Sequence, residues 1–220
     1  MSTTFKPFGL KPVYHPSGLD RAVPFVGTNT FVTGTTFTAP YSLSGGQSFF
    51  QYQPVSLTAS GQLTIANQTA ASGTVYGVFD GVEYTTAEGR RTVGKSASKV
   101  TLDAATQIVF WIFADPALVY EAQANGSATT AYIGRQYNFD TTAGSTVTDG
   151  YTIGTGGAGF STTALLATPV ATTVQGQVRV VGLGREVAYP TGELNAWGDT
   201  YTIVQVQIAN NTFVAPKVSI

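Results

Sequence analysis

Hydrophobic and polar positions alternate along most of the chain in short runs, each cut after a few residues by glycine, proline, asparagine or aspartate. That pattern predicts strands rather than helices. Thr30 to Thr38 alternates around Phe31 and Phe37, and Ser48 to Leu57 is a second extended run in which Pro54 marks an edge or a bulge. Gln62 to Ala66 and Thr74 to Phe79 follow. Val82 to Thr86 and Arg91 to Val93 flank Ala87-Glu88-Gly89, a hairpin loop with glycine at the left-handed position. Within Thr106 to Ala114, the unbroken apolar run Ile108-Val109-Phe110-Trp111-Ile112-Phe113 predicts a central strand buried on both faces. Asp115-Pro116 turns the chain into Ala117 to Gln123, and Asn125-Gly126 turns it again. Ser127 to Gln136 reads as a short helix, with Ser127 as N-cap and Gly134 near its end. Thr146 to Ile153 returns to strand character before the glycine loop Gly154 to Gly159. Gln177 to Leu183 is a late strand. Tyr201 to Ile208 sets Val204, Val206 and Ile208 on one face and Gln205 and Gln207 on the other. The expected fold is all-β: a single barrel or sandwich-like domain with at most one or two short helices.

Met1 to Gly27 stands apart and divides the chain into an arm, 1–27, and a β domain, 28–220. Four of the ten prolines, Pro7, Pro12, Pro16 and Pro24, lie in this segment and make it extended. A free linker is polar, whereas this arm carries Phe5, Phe8, Leu10, Val13, Tyr14, Leu19 and Phe25, so it has to lie on something. One reading packs it across its own domain. The other docks it on a neighbouring protein and leaves the β domain able to fold without residues 1–21. The docking reading nominates Phe5, Phe8, Leu10, Pro12, Val13, Tyr14, His15, Leu19 and Arg21, with Trp197 from a later loop, as interface residues.

Composition narrows the chemistry. Only 10% of the 220 residues are charged, against about 25% in an average soluble domain. The net charge of −1 offers no electrostatic footprint for nucleic acid. There is no cysteine, and His15 is the single histidine, so thiolate sites and a tetrahedral zinc site are excluded and no cofactor is expected. Apolar runs are too short for a membrane-spanning helix, so no membrane partner is expected. From Ala22 to Phe79 no residue is charged. Either hydroxyls and amides solvate that stretch, or other subunits cover it.

Candidate catalytic patterns are weak. Gly154-Thr155-Gly156-Gly157-Ala158-Gly159 fits G-x-G-x-x-G, but after Asp149 the next acidic residue is Glu186, so the ribose-binding carboxylate is missing. A Ser-His-Asp site would need His15, with Ser17 and Asp20 near it, inside the arm. Asp80, Glu83 and Glu88 are the densest carboxylates, with nothing fixing the separation that glycoside hydrolysis needs. Arg90, Arg91, Lys95 and Lys99 lie among those acids and Asp103, a mixture expected of a solvated hairpin or salt-bridged contact. Trp197 caps a barrel end, anchors an interface, or stacks on a sugar beside Asp199 and Glu193. No enzyme activity is expected.

Several blocks together resemble a family of tailed-bacteriophage head proteins, the capsid cement or decoration proteins. Pro7-Phe8-Gly9-Leu10-Lys11-Pro12-Val13, followed by Gly18, is similar to the family's opening. Tyr76 to Tyr84, Leu118 to Gly134, Val181-Gly182-Leu183, and Asn195-Ala196-Trp197-Gly198-Asp199-Thr200-Tyr201 are similar to later blocks. After Thr92 the chain departs from the family, with Gly94-Lys95-Ser96-Ala97-Ser98 in place of an aromatic-Pro-Gly run. The resemblance implies a virion protein on the outer capsid surface, assembled in the bacterial host cytoplasm. It implies a homotrimer that binds the major capsid protein and clamps adjacent capsomers against genome pressure, without catalytic residues or cofactors. A tail, fibre or glycan-binding head component is the alternative.

Overall fold

The computed structural model describes residues 5, 7–16, 18, 21–28, 30–32, 36–66, 73–140, 161–185 and 194–213. Over these residues the domain is all-β and sandwich-like, with every strand pair antiparallel. One sheet runs in the order β1 (Lys11–Tyr14), β12 (Val119–Gln123), β15 (Ile203–Ile208), β14 (Val178–Leu183), β13 (Gln136–Tyr137). The other runs β2 (Val23–Thr28), β11 (Gln107–Phe113), β8 (Gly77–Thr85), β6 (Gln53–Leu57), β7 (Leu63–Ile65), with β9 (Arg91–Gly94) also on β8. Two small ribbons complete it: β3 (Thr30–Val32) with β4 (Thr36–Thr38), and β5 (Ser48–Phe50) with β10 (Ser96–Ser98).

Two hydrophobic cores form because side chains alternate across each strand. Val78 and Phe113 join Leu10, Tyr120, Val178, Val204 and Val206 in one core. Their neighbours Phe79 and Ile112 join Phe49, Ile108 and Phe110 in the other. Phe49 stacks on Phe79 at 5.5 Å and meets Phe110 edge-on at 5.3 Å. Phe79 and Val82 share this aromatic core although an even spacing is needed to share a face. The register explains it: Ile112 pairs with Phe79 and Trp111 with Gly81, so Asp80 is a β-bulge. Gly77 is required where β8 crosses β11, since a Cβ there would stand 2.5 Å from the Phe113 carbonyl oxygen.

The N-terminal segment is extended, as its prolines dictate, and is built into both sheets. β1 pairs with β12, and β2 pairs with β11 from Val23 to Thr28, so the division at Gly27 falls inside a strand. The Ser48–Leu57 run breaks at Tyr52, which adopts φ 66°, and not at Pro54, which lies within β6. The Tyr52 N–H donates to the Phe79 carbonyl at 2.7 Å, and its own carbonyl accepts from Leu10 N–H at 2.8 Å. Gly9, at φ 78°, donates to the Thr163 carbonyl at 3.2 Å, and a Cβ there would collide with the Tyr52 carbonyl.

Other expectations fare unevenly. The β8–β9 hairpin forms, with Gly89 at φ 80°. Thr30 to Thr38 is a two-stranded hairpin rather than one strand. Asp80-Gly81 carries β8 through a bulge instead of ending a strand. β11 is central, yet Val109 and Trp111 stay half-exposed, so only one face is fully buried. The helix expected over Ser127–Gln136 is absent: one 3-10 turn, Thr130–Tyr132, precedes β13. Tertiary partners override propensity there, since Ala128 N–H donates to Thr202 Oγ1 at 2.9 Å and its carbonyl accepts from Gly198 N–H at 2.8 Å. The α-helix that does form, α1 (Lys99–Asp103), was not legible from periodicity, being barely one turn. Ser98 caps it through Thr101 N–H, and Asp103 accepts from Lys99 Nζ at 2.6 Å and Tyr41 Oη at 2.7 Å. The strand expected over Thr146–Ile153 and the glycine loop lie outside the described residues.

Gly9→Ala should lower the unfolding free energy in urea by about 2 kcal/mol or more, combining left-handed strain with the collision. Gly46→Ala, at φ 82° in open space, should cost only about 1 kcal/mol. Burial works against ionised Asp103, but hydrogen bonds from Lys99 and Tyr41 outweigh it and hold its pKa below the usual aspartate value. That contribution is present above the ordinary aspartate pKa and disappears as pH falls through the lowered folded value. An Asp103→Asn variant should therefore lose less stability than the parent on acidification, as read from melting temperatures across the acid range.

Candidate docking surface

On the first sheet, Tyr120, Ala122, Val204 and Val206 enter the core, so period two turns Val119, Glu121 and Gln205 to the outer face. Beside them β1 brings Val13 and Tyr14, β14 brings Val181, and the chain after β14 brings Arg185. Together they line an open cavity of about 750 Å³. Its two apolar walls have the same origin. Pro12 pairs with Tyr120 and Tyr14 with Val119, leaving Val13 as an extra residue on β1. Val180 pairs with Val206 and Gly182 with Gln205, leaving Val181 as an extra residue on β14. A β-bulge re-aims its side chain, and both valines stand 37% exposed, with Tyr14 at 57%.

The polar floor is Glu121. It is only 3% exposed, and its Oε1 accepts from Arg185 N–H at 2.7 Å. In register it lies between Lys11 on β1 and Gln205 on β15. No ion pair holds its carboxylate among the described residues.

The nominated interface residues separate into distinct groups. Val13 and Tyr14 are exposed and meet at this cavity, and Arg21 is exposed away from its lining. Phe8 and Pro12 are half-buried, and Phe5 lies against the Tyr201 ring at 5.1 Å. Leu10 is fully buried in the first core, so its role is to hold the segment and not to meet a partner. His15 is buried too, with Nε2 at 3.1 Å from Asp115 Oδ2, which places the end of β1 beside the β11–β12 turn. Leu19 lies outside the described residues.

Trp197 packs half-buried against the first core. Its loop is pinned by Asn195, whose side chain donates to the Gly184 and Ile203 carbonyls and accepts from Ile203 N–H. Asp199, named with Trp197 as a sugar reader, is 3% exposed and accepts from Ala196 N–H at 2.9 Å. Glu193 lies outside the described residues.

The remaining chemistry resolves into structural contacts. Glu83 pairs with Arg91 at 2.6 Å, Lys95 with Asp80 at 3.0 Å and Lys99 with Asp103, while Glu88 sits exposed in the hairpin. This is the salt-bridged hairpin expected of the mixed cluster. Ser17 and Asp20 fall outside the described residues, as does the G-x-G-x-x-G segment. Among the described residues no three metal-ligating side chains cluster, and no helix is long and apolar enough to cross a membrane.

Val119, Glu121, Val181, Arg185 and Gln205 were not nominated from sequence. Their convergence depends on strand order and on two register shifts, neither of which periodicity records. No protein-family model, curated protein or solved structure matches this chain.

The burial of Leu10 in the first core runs against the expectation that residues 1–21 are dispensable for folding. Truncation at Arg21 removes all of β1 and one fully buried core residue. Leu10→Ala alone should cost about 2–5 kcal/mol in urea denaturation, and the truncated chain should melt at a lower temperature than Leu10→Ala. A truncated chain as stable as the parent would refute this account of β1.

Proposed function

We propose that the chain is a structural protein of a tailed-bacteriophage head, a capsid cement or decoration protein on the outer surface of the shell. On this reading it acts as a homotrimer that binds the major capsid protein and clamps adjacent capsomers against the pressure of the packaged genome. It belongs to the virion, is assembled in the bacterial cytoplasm, and uses no catalysis, cofactor, nucleic acid or membrane. The observation that supports the reading best is a convergence. Three separate blocks that carry the family resemblance each contribute to one cavity: Val13 from the first, Val119 and Glu121 from another, and Val181 from a third.

The low charge fits the same reading in part. Within the uncharged stretch Ala22 to Phe79, much of the apolar content goes inward, with Phe49, Phe50, Val55, Leu63, Val75, Val78 and Phe79 all buried. Val23, in the same stretch, is exposed. Docking is assigned to the outer face of the first sheet, where exposed apolar residues line a cavity. A modest contact repeated by three linked copies gains affinity from effective concentration, with no need for a large individual interface.

Quantitative mass spectrometry of particles of the phage that encodes this chain should find it in a ratio near one to the major capsid protein. A handful of copies per particle would move it to the tail or a unique vertex, and its absence would sink the reading. Tyr14→Ala should weaken binding to undecorated heads about tenfold or more while leaving the melting temperature and trimer intact.

A further inference from the structure

The cavity on the first sheet has features beyond an exposed apolar patch. Two bulges, on strands that are not neighbours, place Val13 and Val181 at opposite walls, with β12 and β15 between them as floor. Three strand spacings separate the walls, about 14 Å. That width admits one extended segment with its side chains. Tyr14 stands at the lip as a rigid amphipathic ring.

Glu121 sets the chemistry of the occupant. A carboxylate has about four acceptor sites, and the Arg185 N–H fills one of them. The carboxylate is 3% exposed and holds one backbone hydrogen bond, so a charge-assisted donor is the strongest complement an occupant can bring. A lysine or arginine side chain suits the site on two counts. Its stem can lie along Val119 and Val181, and its cationic head can reach the floor past the Tyr14 ring.

We infer that this groove receives an extended segment of the head shell protein in which one basic side chain, flanked by apolar residues, inserts between Val13 and Val181 to pair with Glu121. The inference rests on the proposed function and adds to it the chemistry of the partner segment.

The test compares the full chain with Glu121→Gln and Val181→Lys for binding to undecorated heads of that phage. Glu121→Gln keeps shape but removes the charge, and should weaken binding about 30-fold or more. Val181→Lys, at an exposed position, sets a like charge in the groove and should weaken binding comparably while preserving the melting temperature. A photo-crosslinking amino acid at Val181 should capture a shell peptide carrying a lysine or arginine between apolar residues. Should Glu121→Gln fail to fold, Val181→Lys and the crosslink decide. Wild-type binding undiminished in Val181→Lys, or a crosslink to a second copy of this chain, would overturn the groove and leave the decoration reading standing. Failure of the wild-type chain to bind heads at all would remove both.

Discussion

The left-handed backbone at Tyr52 is the constraint on which the architecture turns. A non-glycine residue at φ 66° carries a penalty of about 1–2 kcal/mol, so its surroundings must hold it there. They do so from both sides: its N–H donates to Phe79 on β8, and its carbonyl accepts from Leu10 just before β1. Gln51 beside it accepts from Ser161 N–H at 2.7 Å, while Gly9 donates to Thr163. One irregular residue thus joins the second sheet, the N-terminal segment and the chain entering at Ser161. The direction of β1 follows from that junction, because Leu10 is anchored one residue before the strand begins. With β1 fixed along β12, Tyr14 has a defined place over the outer face of the first sheet.

The second constraint is the alternation of two cores across single strands. Val78 and Phe79 are adjacent yet face different cores, as do Ile112 and Phe113. Such strands tolerate few polar residues, and that accounts for much of the charge-free sequence around them. Eight of the 23 acids and bases fall between Asp80 and Asp103, and three ion pairs form among them. The bulge at Asp80 serves both ends. It keeps Phe79 and Val82 in the aromatic core and turns Asp80 to meet Lys95 Nζ at 3.0 Å and Gln51 Nε2 at 2.9 Å.

How much of this was legible follows from what each signal encodes. Period two in Tyr201–Ile208 and the Gly89 hairpin are local properties, and β15 and the β8–β9 turn form as they require. The all-β class with short helical pieces was likewise readable from composition and spacing. Ser127–Gln136 misled because its helical spacing is local while the hydrogen bonds that decide it come from Gly198 and Thr202, far along the chain. Proline is the louder local signal, so the sequence points to Pro54, whereas the left-handed strain that tertiary contacts impose at Tyr52 leaves no mark on residue type. For the site, Val13 and Tyr14 were legible as apolar residues on an extended segment. Leu10 and His15 have the same local character, and only the depth of packing separates them from the surface pair. Glu121 and Val181 needed strand order and register, which no local pattern carries.

An arm that docks only after searching for its partner pays for ordering its backbone at the moment of binding, about 1–2 kcal/mol per residue. In this chain that ordering has already occurred during folding, since Lys11–Tyr14 is a strand in a sheet. Val13 and Tyr14 are consequently presented on a rigid support, and the bulge that frees Val13 has been stabilised by the same sheet. On the proposed reading, this preorganisation lets a small contact suffice where a flexible tether would need a larger one. It also couples docking to stability: weakening the Leu10–Tyr52 junction displaces the strand that carries Tyr14. The surface and the core are therefore one device, and the sequence that looks like a loose arm is the element that joins them.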